Sequence, residues 1–370
     1  ELWISVSHED LEVLGDDSPL PRSFAVKSGS HHSIFHAGPS TLASLSSAMH
    51  EKLGKCGGFF AHATREEAEK DLSETPRAAA APRAYSVDRQ DTVRAMLPRV
   101  SEESITATID GLSSFHNRYY ESETGVASQK WLADRWRGLV KGRGDAQVEL
   151  YAHKGWPQES VILTIQGSEK PEEVVVIGGH ADSINGQWFP KGRRAPGADD
   201  DGSGIAAITE AVKALAESGY RPKRTLKFMG YAAEEVGLRG SQEIAADFKG
   251  RGVQVVGVIQ FDMTLYKGSP ADFYLITDNV DDAQTAFVAK LIDEYSLGSR
   301  SATRCGYACS DHASWHRHGF AASFPFEASF SDDNKNIHSE NDTIASAGGT
   351  GAHAAKLARL AVAYMVEMGK

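Results

Sequence analysis

The sequence predicts an α/β protein: a mixed, mostly parallel central sheet flanked by helices on both faces, preceded by a small α+β segment. Two observations carry this expectation. EEVVVIGGH, RTLKFMGYAAEE and VQVVGVIQFD are near-continuous apolar runs, as buried central strands require. Helical spacing at 203–218, 238–249 and 281–296 separates or follows them, and such alternation favours parallel pairing with helices on both sheet faces.

The elements follow in chain order. LWISV reads as a strand. PSTLASLSSAMHEKLG reads as a helix with Leu42, Leu45, Met49 and Leu53 on one face, and TREEAEKDLS as a second helix. A segment of about 75 residues is small for an independent domain, so it is expected to lean on the body of the protein. RAAAAPRA, residues 77–84, is small, basic and without periodicity, so it reads as a linker that a protease can reach. The expected division is an N-terminal segment 1–76, a linker 77–90 with a processing site, and a main domain 91–370. VSEESITATIDGLSSF carries a helix-capping signature, and SQKWLADRWRGLV is amphipathic. A last helix, rich in Ala and Leu, is expected over 349–368.

The chain has 370 residues, 41% hydrophobic and 24% charged, with a formal net charge of −11. That balance argues against nucleic acid, whose phosphates need a basic surface. No run approaches the roughly 18 apolar residues of a membrane span. No membrane or partner protein is expected, and the chain is expected to act as a monomer. It begins at Glu1 rather than Met, in keeping with a removed signal peptide or a chosen boundary.

Each central strand ends in metal-capable side chains: His180 with Asp182, Glu234 with Glu235, and Asp262. Parallel strands deliver such residues to one sheet edge, where sites form in open α/β sheets. The stretch APGADDDGSG adds Asp199, Asp200 and Asp201 at a helix start just after the first strand. Capping needs one or two carboxylates, and three adjacent ones repel unless cations sit nearby. Taken singly, each feature has a bland reading as a cap or a solvated surface. Their joint arrival at strand ends points to metal. A carboxylate-rich set with few histidines suits two zinc ions bridged by one carboxylate.

VVIGGHADS, APGADDDGSGIAA, YAAEEVGLRGSQ, FDMTLYKGS, CGYACSDHASWH and IHSENDT together resemble, in order and spacing, the secreted bacterial leucyl aminopeptidases with two zinc ions. The resemblance covers the main domain, and the N-terminal segment resembles the pro-region of these enzymes more loosely. It implies a zinc-peptidase fold of the phosphorylase/hydrolase-like type. It implies His180 and Asp262 as ligands of one zinc, Glu235 and His338 as ligands of the other, and Asp200 as the bridging carboxylate. Glu234 takes the role of general base, Tyr307 steadies the tetrahedral oxyanion, and Asp182 orients His180. The implied protein is secreted, acts on peptides with a free N-terminus, and is made as a proenzyme whose N-terminal segment covers the site or assists folding.

By position, Met263, Ile276, Phe324, Phe326, Phe330 and Ile337 resemble the walls of an apolar side-chain pocket, although Met263 and Ile276 also read as plain core. Asp333 stands where the family pattern has an aromatic residue, and Phe324 where it often has Met. Asp333 either admits basic first residues or points to solvent, and the second is the expectation. Cys305 and Cys309 resemble the family's disulfide beside the pocket, which needs an export route to form. Cys56 is left over. Burial of Phe59 or Phe60 in the leucine pocket is the expected means of inhibition, since two aromatics follow two glycines. A Cys56 thiol on zinc ranks behind it, because CGGFF has no other ligand-like feature.

A di-zinc carboxypeptidase or deacylase would share the ligand set. It would need carboxylate-binding arginines near the pocket, where only Arg304 and Arg317 stand. A metal-binding module without catalysis would have no need of Glu234.

Overall fold

The computed structural model describes residues 2–15, 18–72, 84–186 and 189–370. Most of the expected linker, with its processing site, lies outside the described residues.

The N-terminal segment holds β1 (Leu2–Ser7), α1 (His8–Leu14), β2 (Lys27–Ser28), β3 (His32–Ala37), α2 (Pro39–Leu53), β4 (Phe60–His62) and α3 (Arg65–Glu69). Its strands form an antiparallel sheet in the order β2-β3-β1-β4. Leu42, Leu45 and Met49 are buried, as their spacing on α2 predicts, while Leu53 is only partly so. Sequence reading missed α1, β2, β3 and β4, which are too short to show a clear period. One cluster joins Ile4, Val6, Phe35 and Phe59 of this segment to Tyr119, Trp156, Ile184 and Val236 of the body. The segment therefore has no core separate from the rest of the protein.

The body begins with α4 (Gln90–Met96), α5 (Glu102–Ser113) and α6 (Glu123–Leu139). Residues 85–90, assigned to the linker by sequence, are packed against the body: the Glu367 carboxylate accepts from the backbone N–H of Asp88 and Arg89 at 3.0 and 2.9 Å. β5 (Ala146–Tyr151), β6 (Ser160–Ile165), β7 (Lys170–His180), α7 (Gly202–Glu217), β8 (Arg224–Tyr231), α8 (Arg239–Gly250) and β9 (Gln254–Gln260) follow. The chain then forms β10 (Phe273–Ile276), α9 (Asp282–Glu294), β11 (Arg300–Thr303), α10 (His312–Arg317), β12 (Ala322–Ser323), β13 (Pro325–Phe326) and α11 (Ala352–Met368).

The central sheet runs β12-β9-β7-β8-β6-β5. Pairings among β12, β9, β7 and β8 are parallel, and those of β6 with β8 and β5 are antiparallel. This is the mixed, mostly parallel sheet that the apolar runs predict. Alternate side chains of β7 serve opposite layers. Val175 and Ile177 join the core under α5, α7 and α11, whereas Val174 and Val176 pack with Phe248 of α8 and Trp315 of α10. With both faces covered, chemistry is expected beyond the C-terminal ends of β7, β8 and β9.

Candidate active site

The acidic turn divides its three carboxylates between two tasks. Asp201 is the N-cap of α7, accepting from Gly204 N at 2.9 Å, and it also accepts from His180 N at 3.0 Å and Met263 N at 3.2 Å. A Cβ on Gly179 would come within 2.7 Å of the Asp201 carboxylate, so this approach requires glycine. Asp199 accepts from Leu265 N and from the Asn334 side chain, both at 3.0 Å. Asp200 reaches both imidazoles. Its oxygens lie 2.9 Å from His180 Nε2 and 3.2 Å from His338 Nε2.

Each imidazole has a second carboxylate of its own. Asp262 Oδ1 lies 3.5 Å from His180 Nε2, and Glu235 Oε2 lies 2.7 Å from His338 Nε2. All five side chains are buried. All five also keep buried polar atoms without a hydrogen-bond partner: His180 Nδ1, Asp200 Oδ2, both Glu235 oxygens, Asp262 Oδ1 and both His338 nitrogens. Orphaned donor atoms of this chemistry, converging at one edge, fit metal ions. Two groups of close ligand atoms, His180–Asp200–Glu235 and His180–Asp201–Asp262, overlap at His180.

The electrostatics lead to the same reading. Burial works against the charged His180 ring, yet the facing Asp262 and Glu234 carboxylates hold its pKa well above the ordinary value. Burial would raise Asp200, and the two imidazoles instead hold it far below the carboxylate range. Burial pushes Glu234 well up and Glu235 up to about 7. So many buried carboxylates cannot all ionise without cations among them.

Two supporting residues escaped sequence reading. Asp342 accepts from the backbone N–H of both Asp199 and Asp200 at 3.1 Å, fixing the acidic turn. Its signal was its place in IHSENDT, four residues after His338. Arg118 is fully buried and donates to Ala181 O and Gly197 O at 2.9 Å, placing a fixed positive charge behind the carboxylates. Nothing near Arg118 in the sequence announces this. Asp182 lies 3.4 Å from His180 Nδ1, and it also accepts from the backbone N–H of Glu234 and Glu235 at 3.1 and 3.3 Å. It thereby couples the ends of β7 and β8. Ala233, Met263 and His338 have left-handed backbones, with φ of 56°, 55° and 54°, a clustering typical of functional sites.

Met263, Ile276, Phe324, Phe326 and Ile337 form one apolar cluster with Phe330 and Tyr307 at its margin. Cys305 and Cys309 are disulfide-bonded beside it. Asp333 does not point to solvent: it is 7% exposed, lines the pocket and is paired with Lys335. Phe59 and Phe60 do not fill the pocket. Phe59 belongs to the cluster under β1, and Phe60 stacks on the Arg317 guanidinium at 4.7 Å. Cys56 lines the pocket mouth instead, and its N–H donates to the Tyr307 hydroxyl at 2.9 Å. The space left there is about 10 Å³, room for about one water molecule.

A buried carboxylate–imidazole metal site beside an apolar pocket, at the strand ends of an α/β sheet, defines a metallohydrolase. Comparison with known proteins narrows this. The profile of "Peptidase family M28" matches residues 160–363. A probable leucine aminopeptidase of Arthroderma benhamiae is 40% identical over 291 residues, 78% of each chain. Another, of Trichophyton verrucosum, is 35% identical over 343 residues, 91% of each chain. The crystal structure of the LapA aminopeptidase of Legionella pneumophila superposes with a TM-score of 0.87 at 28% identity, covering 100% of this chain and 98% of that one. The chain belongs to peptidase family M28 and is a metallo-aminopeptidase. Its relatives are fungal as well as bacterial, a wider range than the sequence resemblance named.

Proposed function

We propose that the protein is a secreted di-zinc aminopeptidase that removes leucine or another large apolar residue from peptides with a free N-terminus, and that its N-terminal segment keeps it latent. The observation that carries this reading is Asp200, set between two imidazoles that each have a second carboxylate. That arrangement suits one bridging and two terminal pairs of ligands. When bound, two zinc ions supply a water deprotonated near neutral pH and polarise the scissile carbonyl.

The chain's own residues do the rest. Glu234, buried beside His180, accepts the proton of the attacking water and passes it to the leaving amine. Tyr307 donates its phenol proton to the oxygen where negative charge develops. Asp182 holds His180 and the Glu234–Glu235 turn in place for both steps. Phe324, Phe326, Met263 and Ile276 receive an apolar first side chain, and Lys335 offsets the charge of Asp333 at the rim.

The carboxypeptidase alternative loses its candidate residues. Arg304 faces Asp278 at 3.8 Å on the surface, and Arg317 is tied to Asp71 at 2.7 Å, so neither lines the pocket. Among the described residues no helix is long and apolar enough to cross a membrane.

The test is hydrolysis of leucine p-nitroanilide by the chain before and after limited proteolysis, with and without chelator, and against an N-blocked substrate. Chelator-sensitive activity on the free substrate only, rising on cleavage ahead of residue 91, is expected. Activity on the blocked substrate would contradict the aminopeptidase assignment, and full activity before cleavage would contradict latency.

A further inference from the structure

Helix α2 ends at Gly54, whose left-handed cap returns the chain toward the body. Gly57 and Gly58, with φ of 62° and 76°, then turn it sharply away. Lys55 and Cys56 are held between these turns. The same turn sets the His50 ring 4.5 Å from the His338 ring and the Lys55 ammonium 5.0 Å above the Tyr307 ring. The Cys56 sulfur, an Asp200 oxygen and a His338 ring nitrogen all lie within 4.8 Å of one another. His338, Asp200 and Glu235 are each at least nine-tenths buried, and each aims a polar atom with no hydrogen-bond partner into this space.

We propose that Cys56 is a metal ligand in the uncleaved chain: its thiolate joins His338, Glu235 and Asp200 around one zinc ion. The inference rests on the latent di-zinc reading above and says what enforces the latency. One imidazole, two carboxylates and one thiolate complete a tetrahedral zinc shell, whereas a catalytic zinc keeps a position open for water or substrate. As the sulfur–metal bond forms, the thiol proton passes to solvent. The Cys56 backbone N–H engages Tyr307 at the same time, so a single residue occupies both the metal and the phenol. Removal of the segment carries both contacts away together.

The chain has three cysteines, and Cys305 and Cys309 are joined to each other, so Cys56 is the one free thiol available for this contact. That makes the test direct. X-ray absorption on the uncleaved, zinc-loaded chain is expected to show a sulfur scatterer at about 2.3 Å from zinc. The cobalt-substituted chain is expected to show a thiolate-to-metal charge-transfer band. Both signals vanish on cleavage and in Cys56→Ala, and the uncleaved variant gains activity by on the order of tenfold with its metal content retained. If the uncleaved parent is latent but zinc has no sulfur neighbour, the ligation is overturned and latency stands. If Cys56→Ala remains as latent as the parent, Cys56 is not what enforces it. If the uncleaved parent is as active as the cleaved enzyme, latency and this inference fall together. The absorption measurement on the parent needs no variant, so a folding defect in Cys56→Ala leaves it decisive.

Discussion

The Tyr307 hydroxyl accepts a hydrogen bond from the backbone N–H of Cys56 at 2.9 Å, across 251 residues of chain. The phenol proposed to steady the oxyanion is thus held by the N-terminal segment. Tyr307→Phe is expected to lower kcat of the cleaved enzyme by about 10²- to 10³-fold. The same change should weaken docking of the segment by about 1 kcal/mol. Steady-state kinetics on the cleaved form and proteolysis rates on the uncleaved form check the two effects separately.

Glu234 is buried near His180, whereas its neighbour Glu235, 2.7 Å from His338, is the proposed ligand. Glu234→Gln preserves shape and removes the base. Turnover should fall by about 10²- to 10⁴-fold while zinc content and thermal stability stay at parental values. Loss of metal, seen by elemental analysis, would make Glu234 a ligand instead.

Arg317 and Asp71 form a 2.7 Å pair between the body and the N-terminal segment, with side chains only 7% and 8% exposed. Arg317 also donates to Glu67 O at 3.1 Å. Removing Arg317 takes the cation from the buried Asp71 carboxylate, which keeps the Ser5 hydroxyl and the His62 ring as partners, at a cost of up to about 3–5 kcal/mol. Arg317→Met should therefore speed amide exchange throughout residues 2–72 and raise the activity of the uncleaved chain. The cleaved enzyme should be unaffected.

Docking of the segment should also weaken in acid. Burial lowers the His62 pKa below its ordinary 6.5; the Asp71 hydrogen bond opposes this and Arg317 adds to it. His62 is therefore neutral when docked and takes up a proton more readily when released. Its contribution is full above about pH 6.5 and declines as pH falls below that. Burial would raise Asp71, but His62 and Arg317 hold it at about 2, so its contribution is lost only as pH falls from about 4 toward 2. Both act in one direction. Amide exchange of residues 2–72 is expected to be faster at about pH 5 than at about pH 7.5, and His62→Gln should flatten the difference.

Much of this organisation was legible in the sequence because it is local. Apolar runs fix β7, β8 and β9; His180 ends β7, and the turns just after β8 and β9 carry Glu234, Glu235 and Asp262 to the same edge. The three aspartates were legible as a site but not in their division of labour. The roles of Asp199 and Asp201 depend on backbone donors at Leu265 and Met263, more than sixty residues away. Arg118 was invisible for the same reason, and Asp342 showed only as a member of IHSENDT, without its role at the acidic turn. The sequence favours Phe59 or Phe60 over Cys56 because two aromatics follow two glycines and CGGFF holds no other ligand-like residue. In the folded chain Phe59 is needed by the cluster beneath β1, and the glycine turns after α2 present the thiol instead.

The measurement that bears most directly on the central claim is metal stoichiometry. The purified chain, equilibrated with zinc and analysed for bound metal, should hold two ions. Asp200→Asn should lose both, and His338→Ala or Asp262→Ala should each lose one. Two ions in the parent with that pattern of loss would establish Asp200 as the bridge. A single ion in the parent, or an Asp200→Asn chain that retains two, would contradict it.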